Sequence, residues 1–251
     1  LPILFLTEIV RQQDVDFQEC LNKVRIGLLD EKTCNMLKNR VGIKLLNSSG
    51  IKPTQLFSTN YSVDKINKQE LDLLAEEDPN FFEYNLIANL CKGSNKLLLT
   101  KIKKNVQAVE ILQLCVGAQV MLLTNLDIEN GLANGSRGIV IGFTENLPVV
   151  KFLNGRERII NYHVWDIEEN DTKVMSIIQI PLKLAWAVTI HKSQGQTLDY
   201  VIMDLSNIFA YGQAYVALSR VSSLDGLSII SIDLNKIQAN PKALEFYNKL
   251  I

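Results

Sequence analysis

Two segments near the C-terminal end carry residue types suited to handling phosphate. The first is Ala185-Trp186-Ala187-Val188-Thr189-Ile190-His191-Lys192-Ser193-Gln194-Gly195-Gln196-Thr197-Leu198-Asp199. The second is Gln213-Ala214-Tyr215-Val216-Ala217-Leu218-Ser219-Arg220-Val221. Between them, Tyr200-Val201-Ile202-Met203-Asp204 is an apolar run of the length of a buried strand. Gln194 and Gly195 lie where a loop has to approach phosphate or ribose closely, and glycine permits that approach because it lacks a Cβ. Thr189, His191 and Lys192 supply donors of the kind that hold a phosphate backbone. A polar loop, a buried strand and a helix ending in Ser-Arg make one half of a phosphate-handling site. The other half is missing, because no G-x-x-x-x-G-K-[ST] loop occurs in the 251 residues.

The elements that must position these residues follow from periodicity and punctuation. Residues 4–10 read as a buried strand. Asp14 is placed to cap a helix with Phe17, Leu21, Val24 and Leu28 on one face, and Asp30 to cap a second with Cys34, Leu37 and Val41 inward. Residues 54–59 read as a strand and 63–74 as a helix. Alternating strands and helices predict an α/β domain with a largely parallel sheet. After about residue 109 the runs shorten, and Asn130-Gly131, Asn134-Gly135 and Asn154-Gly155 are hairpin-turn dipeptides. Residues 149–152 and 156–160 read as one hairpin, and 118–123 and 138–143 as two further strands. After Ile180-Pro181 the α/β pattern returns, with a strand at 227–230 and a helix after Pro241. The expected organisation is one α/β domain, residues 1–110 and 175–251, interrupted by a small β-barrel at 111–174.

Composition supports a folded chain: 47% of residues are hydrophobic and 21% charged. No apolar run approaches the roughly 20 residues of a membrane span, and no signal-peptide pattern opens the chain. The chain starts at Leu1-Pro2 in dense sequence, which predicts native sequence upstream. The net charge of −1 gives no global footprint for nucleic acid. Locally, Lys92, Lys96, Lys101, Lys103 and Lys104 form a run without an acidic residue, either a solvated face or a phosphate-tracking patch. Cys20, Cys34, Cys91 and Cys115 are widely spaced, which predicts reduced thiols and an intracellular, reducing compartment. With His163 and His191 far apart, no metal site is expected.

The chain resembles the C-terminal half of the petite-integration-frequency DNA helicases, in the RecD-like branch of superfamily one. Leu6-Thr7-Glu8-Ile9-Val10-Arg11-Gln12 with Asp14 and Phe17 is similar to the family's fourth motif. Thr54-Gln55-Leu56-Phe57-Ser58-Thr59-Asn60 with Val63, Asp64 and Asn67 is similar to the strand and helix that follow. Val116 to Leu122 and Gly131 to Gly138 resemble the entry into a barrel insert, and the two opening segments resemble motifs five and six. The resemblance implies a RecA-like α/β domain with a Src-homology-type barrel insert. It also implies an ATP-driven motor moving 5′ to 3′ on single-stranded DNA. It makes Arg220 and Arg11 the γ-phosphate arginines and places Gln194, Gly195 and Gln213 at the nucleotide. It makes Thr189, His191, Lys192, Thr59 and Asn60 DNA contacts.

ATP is the implied cofactor, with Mg2+ held mainly by a first RecA-like domain whose phosphate loop this sequence lacks. The implied partners are single-stranded DNA and that first domain, with no membrane and a monomeric state. A nuclear or mitochondrial location is implied for a eukaryotic source. Other readings stay open. Arg220 is also explained as a cation at a helix C-terminus, His191 as a satisfied half-buried histidine, and Asn60 as an Asx turn. Trp165 and Trp186 are either base-stacking platforms or core residues. A stand-alone nucleic-acid-binding module and a non-catalytic helicase fragment are the alternatives to a motor half.

Overall fold

In a computed structural model of the chain, the structure describes residues 9–45, 51–90, 108–169 and 172–249. The described helices are α1 (Val15–Ile26), α2 (Glu31–Lys38), α3 (Asn60–Glu77), α4 (Gln213–Leu218) and α5 (Pro241–Asn248). The described strands run β1 (Thr54–Phe57), β2 (Phe82–Asn85), β3 (Ile87–Leu90), β4 (Ile111–Leu114), β5 (Gln119–Leu122), β6 (Arg137–Thr144) and β7 (Leu147–Phe152). They continue as β8 (Glu157–Ile159), β9 (His163–Glu169), β10 (Thr172–Gln179), β11 (Leu182–Leu184), β12 (Ala187–Thr189), β13 (Val201–Leu205) and β14 (Leu227–Ile232). None of the described helices is long and apolar enough to cross a membrane. The chain divides into two compact units, and the first is interrupted in sequence by the second.

The first unit holds described residues 9–45, 53–64 and 187–249. Its sheet has the order β12-β1-β13-β14, with every pair parallel. Parallel strands are covered on both faces, so they read as apolar runs; Leu56, Val188, Val201, Met203, Leu205, Leu227 and Ile229 are all buried. Because the strands run the same way, the chain leaves β1, β12 and β13 at one edge, where open parallel sheets bind their ligands. Of the segments expected to share this sheet, 54–57 and 200–203 do. Ile9 and Val10 lie outside any strand, and residues 4–8 fall outside the described set.

The helices begin where their caps dictate. The Asp14 carboxylate accepts from Asp16 N at 2.9 Å and Phe17 N at 3.2 Å, and α1 stops at Gly27, whose φ of 72° is left-handed. Phe17, Cys20, Leu21 and Val24 are buried on one face. Leu28, expected on that face, lies past the cap and is exposed. Asp30 accepts from Thr33 N at 2.9 Å to start α2, which buries Leu37. Val41 was expected inward on this helix, but α2 ends at Lys38 and Val41 bridges Ile229 in parallel instead. Lys32 holds Asp16 and Glu19, and Lys23 holds Glu19 and Asp30. These lysines keep the three carboxyls below their usual range. Depressed carboxyls favour the folded form above that range and lose the contribution as pH falls below it, through their lowered values.

The second unit holds described residues 51–52, 65–90, 108–169 and 172–186. Its main sheet is antiparallel, with order β11-β5-β6-β7-β8. The hairpin expected around Asn154-Gly155 is β7–β8, with Lys151 opposite Glu157. A second tight turn, between β6 and β7, has no turn dipeptide; Glu145 and Asn146 both take positive φ, 53° and 62°. Leu114, Val120, Leu122, Val140, Val150, Ile160 and Leu182 form the core with Trp186, so Trp186 is a packing residue. Trp165 packs beside Met175 and Ile177 and meets the His163 ring edge-on, 4.7 Å between centroids. Burial lowers the His163 pKa.

The β-rich unit is larger than the expected 111–174. β2 pairs with β4, β3 with β10, and β11 with β5. Boundaries at 111 and 174 would cut those ladders, and the compact unit therefore extends to both sides. Cys20 and Cys115 are buried and Cys34 is partly so. Cys91 and the lysine run at 92–104 lie outside the described residues.

Two outcomes follow from local geometry. Asp14→Ala should destabilise the first unit by about 1 kcal/mol and Asp14→Gly by a few tenths, read as loss of hydrogen-exchange protection in α1; equal protection in all three proteins would show that the cap is idle. Gly226 lies in a 3-10 turn before β14, and a Cβ there would sit 1.8 Å from the Asp199 carbonyl oxygen. Gly226→Ala should cost about 1–3 kcal/mol, as overpacking does, measured by urea unfolding. An unshifted midpoint would contradict that close approach.

Candidate functional site

Two arginines meet on one residue of the first unit. Arg11 comes from the segment before α1, and its Nη1 donates to the Ser219 carbonyl oxygen at 3.0 Å, across 208 residues of sequence. Its Nε donates to Thr197 Oγ1 at 2.9 Å. Arg220 follows α4, and its Nη2 donates to Ser219 Oγ at 2.8 Å, its Nε to Val216 O at 2.9 Å and its Nη1 to Gln196 O at 3.4 Å. Arg220 is 8% exposed. Burial first, and then the charge of Arg11, push its pKa below the ordinary guanidinium value. Two like charges held together in a partly dry setting favour an anion between or beside them. The bond to Val216 O shows that the cation also serves the last turn of α4, as the dipole reading expects. The dipole reading does not account for Arg11 on the same serine.

The segment 190–197 between β12 and β13 supports both guanidiniums through Gln196 O and Thr197 Oγ1. Its first residues follow directly from the sheet: Ile190 N donates to Phe57 O at 2.9 Å, continuing the β1–β12 pairing. His191 and Lys192 then stand exposed at the strand ends, so His191 is not the half-buried histidine of its bland reading. Thr189 is buried, and its Oγ1 accepts from Lys192 N at 3.3 Å, shaping the turn that presents His191 and Lys192. Thr59 and Asn60 leave the neighbouring strand β1 and are exposed. Thr59 Oγ1 lies 3.1 Å from Ser62 Oγ and accepts from Ser62 N at 3.4 Å, which caps the start of α3. Gln194 is exposed, and Gly195 takes φ 85°, the left-handed conformation the turn requires.

Gln213 opens α4 and is buried. Its Oε1 accepts from Phe209 N at 2.9 Å and Ala210 N at 3.4 Å, while its Nε2 has no partner. A buried donor without an acceptor costs about 1–3 kcal/mol, so Nε2 is poised for an acceptor atom. Gln196 Oε1 is likewise buried and unpartnered. A cleft of about 490 Å³ has Arg11, Gln12, Thr197, Tyr215 and Ser219 in its walls. Arg11 brings a guanidinium to that wall, and such a group fits a phosphate. Among the described residues no group of three or more His, Cys, Asp or Glu side chains converges as a metal site.

Sequence reasoning missed three members of this cluster. Gln12, Thr197 and Ser219 all contact an arginine or the peptide carrying one. Ser219 adjoins Arg220 and Gln12 adjoins Arg11, so neighbourhood was the only available signal; the bonds themselves join distant parts of the chain.

Residues 98–143 match the family model described as DNA helicase Pif1, 2B domain. The ATP-dependent DNA helicase PIF1 of Xenopus laevis is 38% identical over 248 residues, covering 98% of this chain and 38% of that protein. The crystal structure of Pif1 helicase from Candida albicans superposes with a TM-score of 0.78 at 35% identity, over 97% of this chain and 60% of that one. The Bacteroides Pif1 helicase in complex with ADP-AlF3 and single-stranded DNA gives 0.68 at 28% identity, over 98% of this chain and 56% of that one. The fold is thus a RecA-like parallel domain interrupted by an insert. By sequence and by fold the chain belongs to the Pif1 family of DNA helicases, and it spans 38% of the length of the curated frog relative.

Proposed function

We propose that this chain supplies the second motor domain of an ATP-dependent helicase moving 5′ to 3′ on single-stranded DNA. The observation that carries the reading is the meeting of Arg11 and Arg220 on Ser219. In phosphoryl transfer the protein's main contribution is positioning and charge stabilisation on the transferring group. A guanidinium presents a planar fork that engages two phosphate oxygens, and here two forks are braced by carbonyls and hydroxyls before any ligand arrives. ATP bound here would present its γ-phosphate to them, with Gln194, Gly195 and the Gln213 amide as further nucleotide contacts. Cradling of the other phosphates, and of Mg2+, falls to a separate domain with a phosphate loop. A monomeric motor in a nucleus, mitochondrion or other reducing compartment is the matching cellular picture.

DNA belongs at the strand-end edge. His191 and Lys192 are exposed there, with Thr59 and Asn60 on the next strand, and Thr189 acts from beneath by shaping the turn. One eight-residue segment, 190–197, therefore carries the DNA-facing His191 and Lys192 at one end and the arginine supports at the other. Movement of that segment on phosphate loss would be felt at the DNA. The Bacteroides relative solved with a nucleotide analogue and single-stranded DNA supports the same pair of ligands.

Arg220→Ala in the full-length protein should lower kcat for ATP by about 10³ to 10⁵, as trans-acting arginines do elsewhere, with at most a small fall in melting temperature from the lost α4 contact. Arg220→Lys should not restore it, because the fork is lost. The helix-dipole reading alone expects the same small fall in melting temperature with normal turnover, and normal turnover would remove Arg220 from the active site. Lys192→Ala should weaken single-stranded DNA binding for all sequences alike and flatten the log–log salt dependence by about one unit. A salt slope equal to wild type would take Lys192 off the DNA.

A further inference from the structure

Gln12 is polar, 3% exposed, and uncharged, and the reaction as described makes no use of it. Its Nε2 donates to Val221 O at 2.8 Å and to Ser219 O at 3.1 Å. Those two carbonyls belong to the residues immediately before and after Arg220. One primary amide, with two hydrogens, thus spans the peptide that carries the arginine. The rest of that peptide is held as well. Arg220 N donates to Ala217 O at 3.1 Å, and Arg220 O accepts from Leu198 N at 2.9 Å. Gln12 itself is tied to α1, because the Gln18 side-chain amide donates to Gln12 O.

We propose that Gln12 is a positioning residue: it fixes the main chain on both sides of Arg220 and so aims that guanidinium. α4 is only six residues long, and no side chain caps its N-terminus, so it has little means of holding its own end. Without the Gln12 bridge, the Ser219 carbonyl keeps Arg11 as a donor, but the Val221 carbonyl loses its side-chain partner and the Ser219–Val221 turn is released on one side. Arg220 would then keep its charge and lose its aim. The assignment rests on Arg220 being a γ-phosphate arginine.

The test is a double-mutant cycle in the full-length protein, with ATP turnover, ATP KM, single-stranded DNA affinity and melting temperature measured for each variant. Gln12→Met keeps the volume and removes the donor. It should lower kcat by about ten- to a hundredfold, the scale of a small misplacement, with ATP KM and DNA affinity near wild type. In an Arg220→Ala background the same change should lower kcat by less than about twofold, because the group it aims is gone. Gln12→Glu keeps size and polarity but turns a carboxylate oxygen toward two carbonyls, and it should match Gln12→Met. Normal kcat in either variant overturns the inference, as does an equal loss in both backgrounds, or joint loss of DNA affinity and melting temperature. If Arg220→Ala itself turns over normally, the catalytic reading fails and takes the role of Gln12 with it. If Arg220→Ala collapses while Gln12→Met does not, only the role of Gln12 is lost.

Discussion

The residue on which the candidate site depends is Ser219. Its carbonyl accepts from Arg11 and Gln12, and its hydroxyl accepts from Arg220. Those contacts hold two guanidiniums near one another, an arrangement that like-charge repulsion and burial both oppose. It persists because both guanidiniums are held by acceptors on the protein. Backbone carbonyls and hydroxyls accept the N–H donors, and a second amide braces the same turn. The unfavourable part of the arrangement is relieved by an anion, which is the property a phosphate site needs. A pre-braced cation does not have to be reorganised when charge develops.

The parallel sheet explains why that turn is where it is. β1 pairs with β12 and β13, so segments far apart in sequence end side by side. Their exits share an edge, and the segment 190–197 runs along it from the exposed His191 and Lys192 to the arginine supports. The β-rich unit interrupts this domain from within α3, after residue 64, to β12 without disturbing the order of the sheet, because β12, β1 and β13 pair across the interruption. The candidate phosphate turn and the proposed nucleic-acid edge are therefore products of one topology.

Local signals were legible because each is decided within a few residues. Asp14 and Asp30 cap their helices through their own side chains, Gly27 ends α1 by taking positive φ, and Asn154-Gly155 folds its hairpin. The turn at Glu145-Asn146 was missed because its dipeptide is not a strong left-handed former. Val41 was misplaced because helical spacing continued past Lys38, and a tertiary bridge to Ile229 outcompeted it. Thr189 was read as a donor to a DNA phosphate from its type, while its burial is set by the strand on which it ends.

The sequence by itself determined the α/β pattern with a β-rich interruption, the candidate phosphate-handling residues of its last third, the lack of a phosphate loop, and the resemblance to one helicase family. Each of these rests on residue types and short-range spacing, which a chain carries whether or not it is folded. Only the tertiary structure decided the order of the strands and the true extent of the β-rich unit, since ladders such as β3–β10 join residues that no local pattern links. It alone brought Arg11 and Gln12 to Ser219, more than 200 residues away. A hydrogen bond across that distance depends on how the intervening chain packs, and no window of sequence contains it.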